Sequence, residues 1–187
     1  VNAADAYAKA LSLVDGPVAR ARLMRKRGDV AERQGDYPAA HGWYRRAARE
    51  LRTTNWTSAI SEKAQLDCAR SGLALRQAQF GDAWRFGNLA LSQAQGIGDW
   101  TTAAHAALMV DNLVTQLSWS GVQVARPDVL GLYERAGDLL GAARWLSNQA
   151  VDRYYEGKWD EAVAMYRESA SQCARFGHLV SEATALN

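Results

Sequence analysis

Trp159, Ala162, Val163, Tyr166, Ala170 and Cys173 stand at i, i+3, i+4, i+7, i+11 and i+14. That spacing is one continuous apolar stripe along a helix. No segment sustains alternation between apolar and polar positions, so the pattern predicts helices and no strands. Turn-like residues interrupt the stripes in register. Asp15-Gly16, Thr54-Asn55, Gly98-Asp99, Gly137-Asp138 and Gly177-His178 follow one another at steps of 39, 43, 39 and 40. Gly or Asn just past a helix end tolerates the left-handed backbone, and an Asp after it caps the next helix. A second set lies between these marks: Gly35-Asp36-Tyr37, Gln79-Phe80, Ser118-Trp119 and Gly157-Lys158-Trp159 place an aromatic residue at steps of 43, 39 and 40. A near-constant period that divides once inside itself predicts a stacked repeat of helix pairs.

The two sets of marks predict about ten helices. They are Ala3 to Val14, Pro17 to Gln34, Tyr37 to Thr53, Trp56 to Ala78, Gly81 to Gln95, Asp99 to Leu117, a weaker segment ending at Ala136, Asp138 to Glu156, Trp159 to Phe176, and Leu179 to Asn187. Arg126-Pro127 predicts a broken helix or loop within 118–128, with a helix resuming near Asp128. The chain reads as one domain: a partial repeat over 1–16, repeats over 17–55 and 56–98, a degenerate repeat over 99–137, a repeat over 138–177 and a partial repeat over 178–187. Both ends stop inside a repeat without a polar capping unit, so a fragment of a longer chain is expected.

Gly28, Gly35, Tyr37, Ala40, Tyr44 and Ala47, and again Ala150, Gly157, Trp159, Ala162, Tyr166 and Ser169, follow the order small, small, aromatic, Ala, aromatic, small. This resembles the tetratricopeptide (TPR) signature, in a longer-helix variant. Phe80, Ala83 and Ala90 fit it, with Gly87 at the second aromatic place; Trp119 and Val122 fit it, with Arg126 there. Those two exchanges predict looser packing in the middle of the array. The resemblance implies an all-α, right-handed α-solenoid of antiparallel helix pairs. Arg27 to Tyr37, Tyr154 to Ala162 and Tyr133 to Asp138 are further similar to the C-terminal TPR region of actinobacterial signalling proteins. In those, a class III adenylate or guanylate cyclase domain and an ATPase module precede the array. A protein-interaction and regulatory role in the cytoplasm is what that similarity implies.

Composition changes this picture little. Alanine supplies about a fifth of the 187 residues, which favours helix. A formal net charge of +2 gives no bulk attraction to nucleic acid or membrane. Cys68 and Cys173 stand far apart without CxxC spacing or neighbouring histidines, which fits a reducing cytoplasm and no zinc site. No run of apolar residues is long enough to span a bilayer, and no signal-peptide pattern opens the sequence.

No catalytic constellation is legible. A phosphate loop at Gly157-Lys158 needs Gly where Asp152 stands and Ser or Thr where Trp159 stands, and His41, His105 and His178 have no metal-ligand spacing. No enzyme activity, metal or cofactor is expected of these residues. The chemistry that stands out is local charge, with ten basic and four acidic residues between Pro17 and Arg52. Arg22, Arg25, Lys26, Asp29 and Arg33 share one face of the first helix of their pair, and by the resemblance first helices line a groove. The corresponding faces carry Gln65, Cys68, Gly72 and Leu75, then Ala104, Ala107, Asp111 and Val114, then Arg144, Ser147, Val151 and Tyr154. The basic face reads either as a docking site for an acidic peptide or domain surface or as a solvated arginine-rich face. The expected partner is a protein, a peptide or a neighbouring domain of the same chain, with no nucleic acid and no membrane. The alternatives are a passive scaffold that forms homodimers and a solenoid that senses a small ligand. The seven tryptophans, Trp56 and Trp159 among them, are expected to pack between helices.

Overall fold

The computed structural model of the chain describes residues 3–119 and 125–175. Among these residues there are nine helices and no strand, so the fold is all-α: α1 (Ala3–Leu13), α2 (Pro17–Arg33), α3 (Tyr37–Glu50), α4 (Thr57–Arg76), α5 (Phe80–Gly96), α6 (Trp100–Trp119), α7 (Val129–Ala136), α8 (Leu139–Tyr155) and α9 (Trp159–Arg175). The expected helix Leu179 to Asn187, the turn mark Gly177-His178 and the side chain of Trp119 lie outside the described residues. Ala125 to Asp128 are not helical, and α7 begins directly after Pro127 and Asp128, as the proline predicts.

The same local device closes most of the helices. After α2 the N–H of Asp36 donates to the carbonyl of Ala31 at 2.9 Å; Gln79 to Ala74, Asp99 to Ala94, Asp138 to Tyr133 and Lys158 to Arg153 repeat this bond at 2.9–3.0 Å. The residue before each donor has positive φ: Gly35, Ala78, Gly98, Gly137 and Gly157. This is the Schellman closure, and it satisfies carbonyls that the helix end leaves without partners. Aspartates cap several of the helix starts, whereas α5 begins after Gln79 with no side-chain cap. Asp36, Asp128 and Asp138 accept from the N–H groups of Ala39, Gly131 and Gly141 at 2.8–3.0 Å.

The chain divides into two units, Val1–Pro127 and Asp128–Asn187. In the first, α2 packs along α3, α4 along α5, and α5 along α6, while α2 also meets α4 and α4 meets α6. Its core joins Met24, Tyr44, Leu51, Leu66 and Leu73 to Ala21, Ala31, Ala40, Ala47 and Ala59. Small residues permit the close approach. A Cβ on Gly28 would collide with the Tyr44 ring. At Gly87 a Cβ would stand 2.9 Å from Val110 Cγ2 and 3.2 Å from Ser71 Oγ. The looser middle expected from Gly87 is therefore corrected: without an aromatic ring, α5 closes directly onto α4 and α6. In the second unit, α8 packs along α9 and against α7, burying Val129, Leu132, Tyr133, Ala142, Ala143, Leu146, Ala150, Ala162, Ala170 and Cys173. Ser169 Oγ donates to the carbonyl of Ala143 at 2.7 Å and accepts from Ser147 Oγ at 2.8 Å.

Two tryptophans depart from expectation. Trp56 is 54% exposed and Trp159 66% exposed. Each sits at or just before the first turn of its helix, where the side chain reaches past the packed stripe.

Candidate functional site

The first unit carries an open groove of about 520 Å³, formed by α2, α4 and α6. From α2 come Arg25, Lys26, Asp29, Glu32 and Arg33; from α4, Gln65, Cys68, Ala69, Gly72 and Arg76; from α6, Thr101, Thr102, His105 and Met109. Seven residues of the faces read from sequence meet here: Arg25, Lys26, Asp29, Arg33, Gln65, Cys68 and Gly72.

The floor of the groove is an ionic network. Arg25 is buried, its Nε donating to Glu62 Oε1 at 2.7 Å and its Nη2 to Gln65 Oε1 at 2.7 Å, with Nη1 3.6 Å from Asp29 Oδ2. Glu62 is 1% exposed and also accepts from Arg22 Nε at 3.1 Å. Breaking such a buried pair on one side costs about 3–5 kcal/mol, because the remaining charge has neither water nor counterion. Arg25 and Glu62 therefore fix the distance between α2 and α4. Beside them, the Tyr44 hydroxyl lies 2.7 Å from Glu32 Oε2 and 3.0 Å from Asp29 Oδ1. Its single hydrogen serves one carboxylate at a time. Burial first, then the hydrogen bond to Glu32 and the charge of Asp29, push the phenol well above its ordinary range. Arg76 Nε donates to Glu32 Oε1 at 3.0 Å.

Lys26 and Arg33 differ from this network. Both are exposed, and neither makes an ion pair among the described residues. They are the two cations of the groove lining without a carboxylate partner among the described residues. Cys68 is half-buried on the groove wall; burial chiefly, with Asp67 and Asp99 adding to it and Arg25 opposing, pushes its thiol up to about 12. The thiol is thus neutral and behaves as a small apolar contact.

The other nominated residues lie elsewhere. Arg22 is on α2 but outside the groove lining, with its guanidinium on Glu62. Asp111 is corrected: it is 2% exposed and takes Arg126 Nη1 at 2.9 Å instead of facing the groove. The physical reason is phase. The expected α6 face, Ala104, Ala107 and Asp111, is buried, and the lining residues Thr102, His105 and Met109 stand two positions earlier. Two residues turn a helix by about 200°, which exchanges its faces. Ser147 is corrected likewise: its hydroxyl is engaged with Ser169 between α8 and α9. Arg144, Val151 and Tyr154 are exposed on α8 of the second unit. Sequence reasoning missed Glu32, Ala69, Arg76, Thr101, Thr102, His105 and Met109; the Asp99 cap of α6 was the signal that sets the helix phase.

Among the described residues, no group of His, Cys, Asp and Glu side chains has the arrangement of a metal site, and no helix is long and apolar enough to cross a membrane. Comparison with models of protein families and with curated proteins gives no match.

Proposed function

We propose that this chain is a non-catalytic interaction module, a TPR-like α-solenoid whose groove binds an acidic peptide or an acidic surface of a neighbouring domain. One observation carries the reading: Lys26 and Arg33 stand exposed and unpaired on the wall of an open groove whose floor is locked by Arg25 and Glu62. The groove lining offers four cationic and two anionic side chains, with small or apolar contacts at Cys68, Ala69 and Gly72 of α4 and at Met109 of α6, beside Thr101, Thr102 and His105. A peptide with carboxylates at one end and a compact apolar side chain further along is complementary to it. The regular period of the turn marks and the contacts of α2 with α4 and of α4 with α6 support the solenoid part of the reading. In this proposal the module belongs to a cytoplasmic signalling protein and biases an attached cyclase or ATPase domain through differential affinity for that domain's two states.

The test is binding of a labelled peptide panel, read by anisotropy, against wild type and K26E/R33E. Both substituted side chains are exposed, so the fold persists. The expected result is preference for acidic peptides and a loss of about tenfold or more in the double variant. Unchanged affinity in K26E/R33E removes the groove from the proposal.

A second reading, an assembly module, is favoured by the exposed apolar residues Val151, Tyr154, Tyr155, Trp159 and Val163 of α8 and α9. Concentration-dependent dimerisation in light scattering, abolished by Y155S/W159S, supports that reading.

A further inference from the structure

Two aromatic rings in the first unit each carry a pair of arginines. Arg70 and Arg85 lie with Cζ 3.7 Å and 4.3 Å from the centroid of Phe86; Arg27 and Arg46 lie 3.9 Å and 4.5 Å from the centroid of Trp43. The first pair is neutralised in place. Arg70 Nη1 donates to Asp67 at 3.1 Å and Arg85 Nη2 to Asp82 at 2.8 Å. The second pair has no carboxylate within ion-pair distance among the described residues. Beside it, Arg45 and Arg49 line a shallow depression of about 500 Å³ together with Gly42, Arg46 and Ala48, again without carboxylates.

Like charges held together without counterions repel one another. A stacked guanidinium also has its plane fixed and its N–H edges directed away from the ring, so it loses little further freedom when an anion arrives. We propose that the Arg27, Arg45, Arg46 and Arg49 face is a second docking surface, separate from the groove, for an acidic protein segment rich in Asp and Glu. It shares no residue with the groove lining. The occupant is a carboxylate segment, not a nucleic acid, because the Trp43 ring is already stacked by the guanidiniums of Arg27 and Arg46, which compete with a base for it. A bilayer is disfavoured because the depression has no large apolar side chain to insert. Arg45 and Arg49, one helical turn apart on α3, match carboxylates at i and i+4 of an acidic helix.

The experiment uses the whole chain carrying K26E/R33E, which silences the groove, and a fluorescein-labelled peptide of Glu and Ala, read by anisotropy at low and moderate salt. Binding that persists in K26E/R33E, falls about tenfold or more when R45E/R49E is added, and weakens when R46K keeps the charge but loses the planar stack is the expected result. Binding lost in K26E/R33E alone, or unaffected by R45E/R49E, overturns the proposal. Tighter binding of a DNA duplex or of phosphatidylserine vesicles than of the peptide, at equal ionic strength, overturns the carboxylate assignment. All substituted arginines here are exposed, and helicity measured by circular dichroism is expected to be unchanged.

Discussion

At the scale of single residues, Ala78 is the exception in the comb of helix closures. Its φ is 55°, where the equivalent Gly35 and Gly157 have 78° and 77°. A left-handed alanine costs roughly 1–2 kcal/mol, and glycine returns roughly 0.5–1 kcal/mol of that as freedom of the unfolded chain. Ala78→Gly is therefore expected to stabilise by about 0.5–1 kcal/mol, seen as a higher urea midpoint with an unchanged slope. Cys68 gives a second residue-level expectation. With its thiol pushed up to about 12 by burial, the reactive thiolate is scarce at neutral pH. Alkylation by iodoacetamide near pH 8, followed by peptide mapping, should be about a hundredfold slower at Cys68 in the folded chain than in urea. A rate close to that of a free thiol contradicts the neutral, apolar role given to it in the groove.

At the scale of elements, Asp99 fixes where α6 starts and which way it faces. Its carboxylate accepts from Thr102 N at 3.1 Å, from Thr102 Oγ1 at 2.8 Å and from Ser61 Oγ of α4 at 2.6 Å. Burial alone would raise its pKa; these hydrogen bonds outweigh burial and hold the carboxyl below its usual range. A lowered folded pKa means that the charged cap stabilises fully above about pH 4 and loses this contribution as pH falls through the folded value. Asp99→Asn keeps a capping oxygen but loses the charge, and is expected to cost about 0.3–1 kcal/mol near neutrality, with the gap to wild type constant above about pH 4 and closing as pH falls below it in urea midpoints. A gap that stays constant with pH assigns the cap no ionic part. The same element shows what the sequence made legible. Helix existence and most boundaries followed from Gly, Asp and Pro positions, which act through local backbone bonds such as Asp36 to Ala31. The α2 and α4 faces of the groove followed from helical spacing together with the resemblance, which implies that first helices line a groove. The α6 face did not, because α6 is apolar on more than one side and carrying the phase over from one repeat to the next left it two positions out of step. The pairings of Arg25 with Glu62 and of Asp111 with Arg126 join residues 37 and 15 positions apart, and no local pattern encodes them.

At the scale of the whole molecule, the chain divides into two units, each of which buries hydrophobic residues of its own. A Cβ on Gly141 of α8 would collide with the ring of Tyr133 and stand 2.7 Å from Asp138 Oδ2. Gly141→Ala is expected to destabilise the second unit by roughly 1–3 kcal/mol. Hydrogen exchange read by mass spectrometry should then show faster exchange in α7, α8 and α9 and unchanged protection in α2 to α5. A uniform loss along the chain would mean that the two units open together. More than half of the buried hydrophobic residues described are alanines, among them Ala40, Ala90, Ala103, Ala107 and Ala143 at 0% exposure. Alanine scanning, the usual survey of such a chain, is therefore silent over most of its interior, since there is nothing left to truncate. The vulnerable direction is enlargement: a leucine scan of the same positions would map the helix contacts that an alanine scan leaves blank.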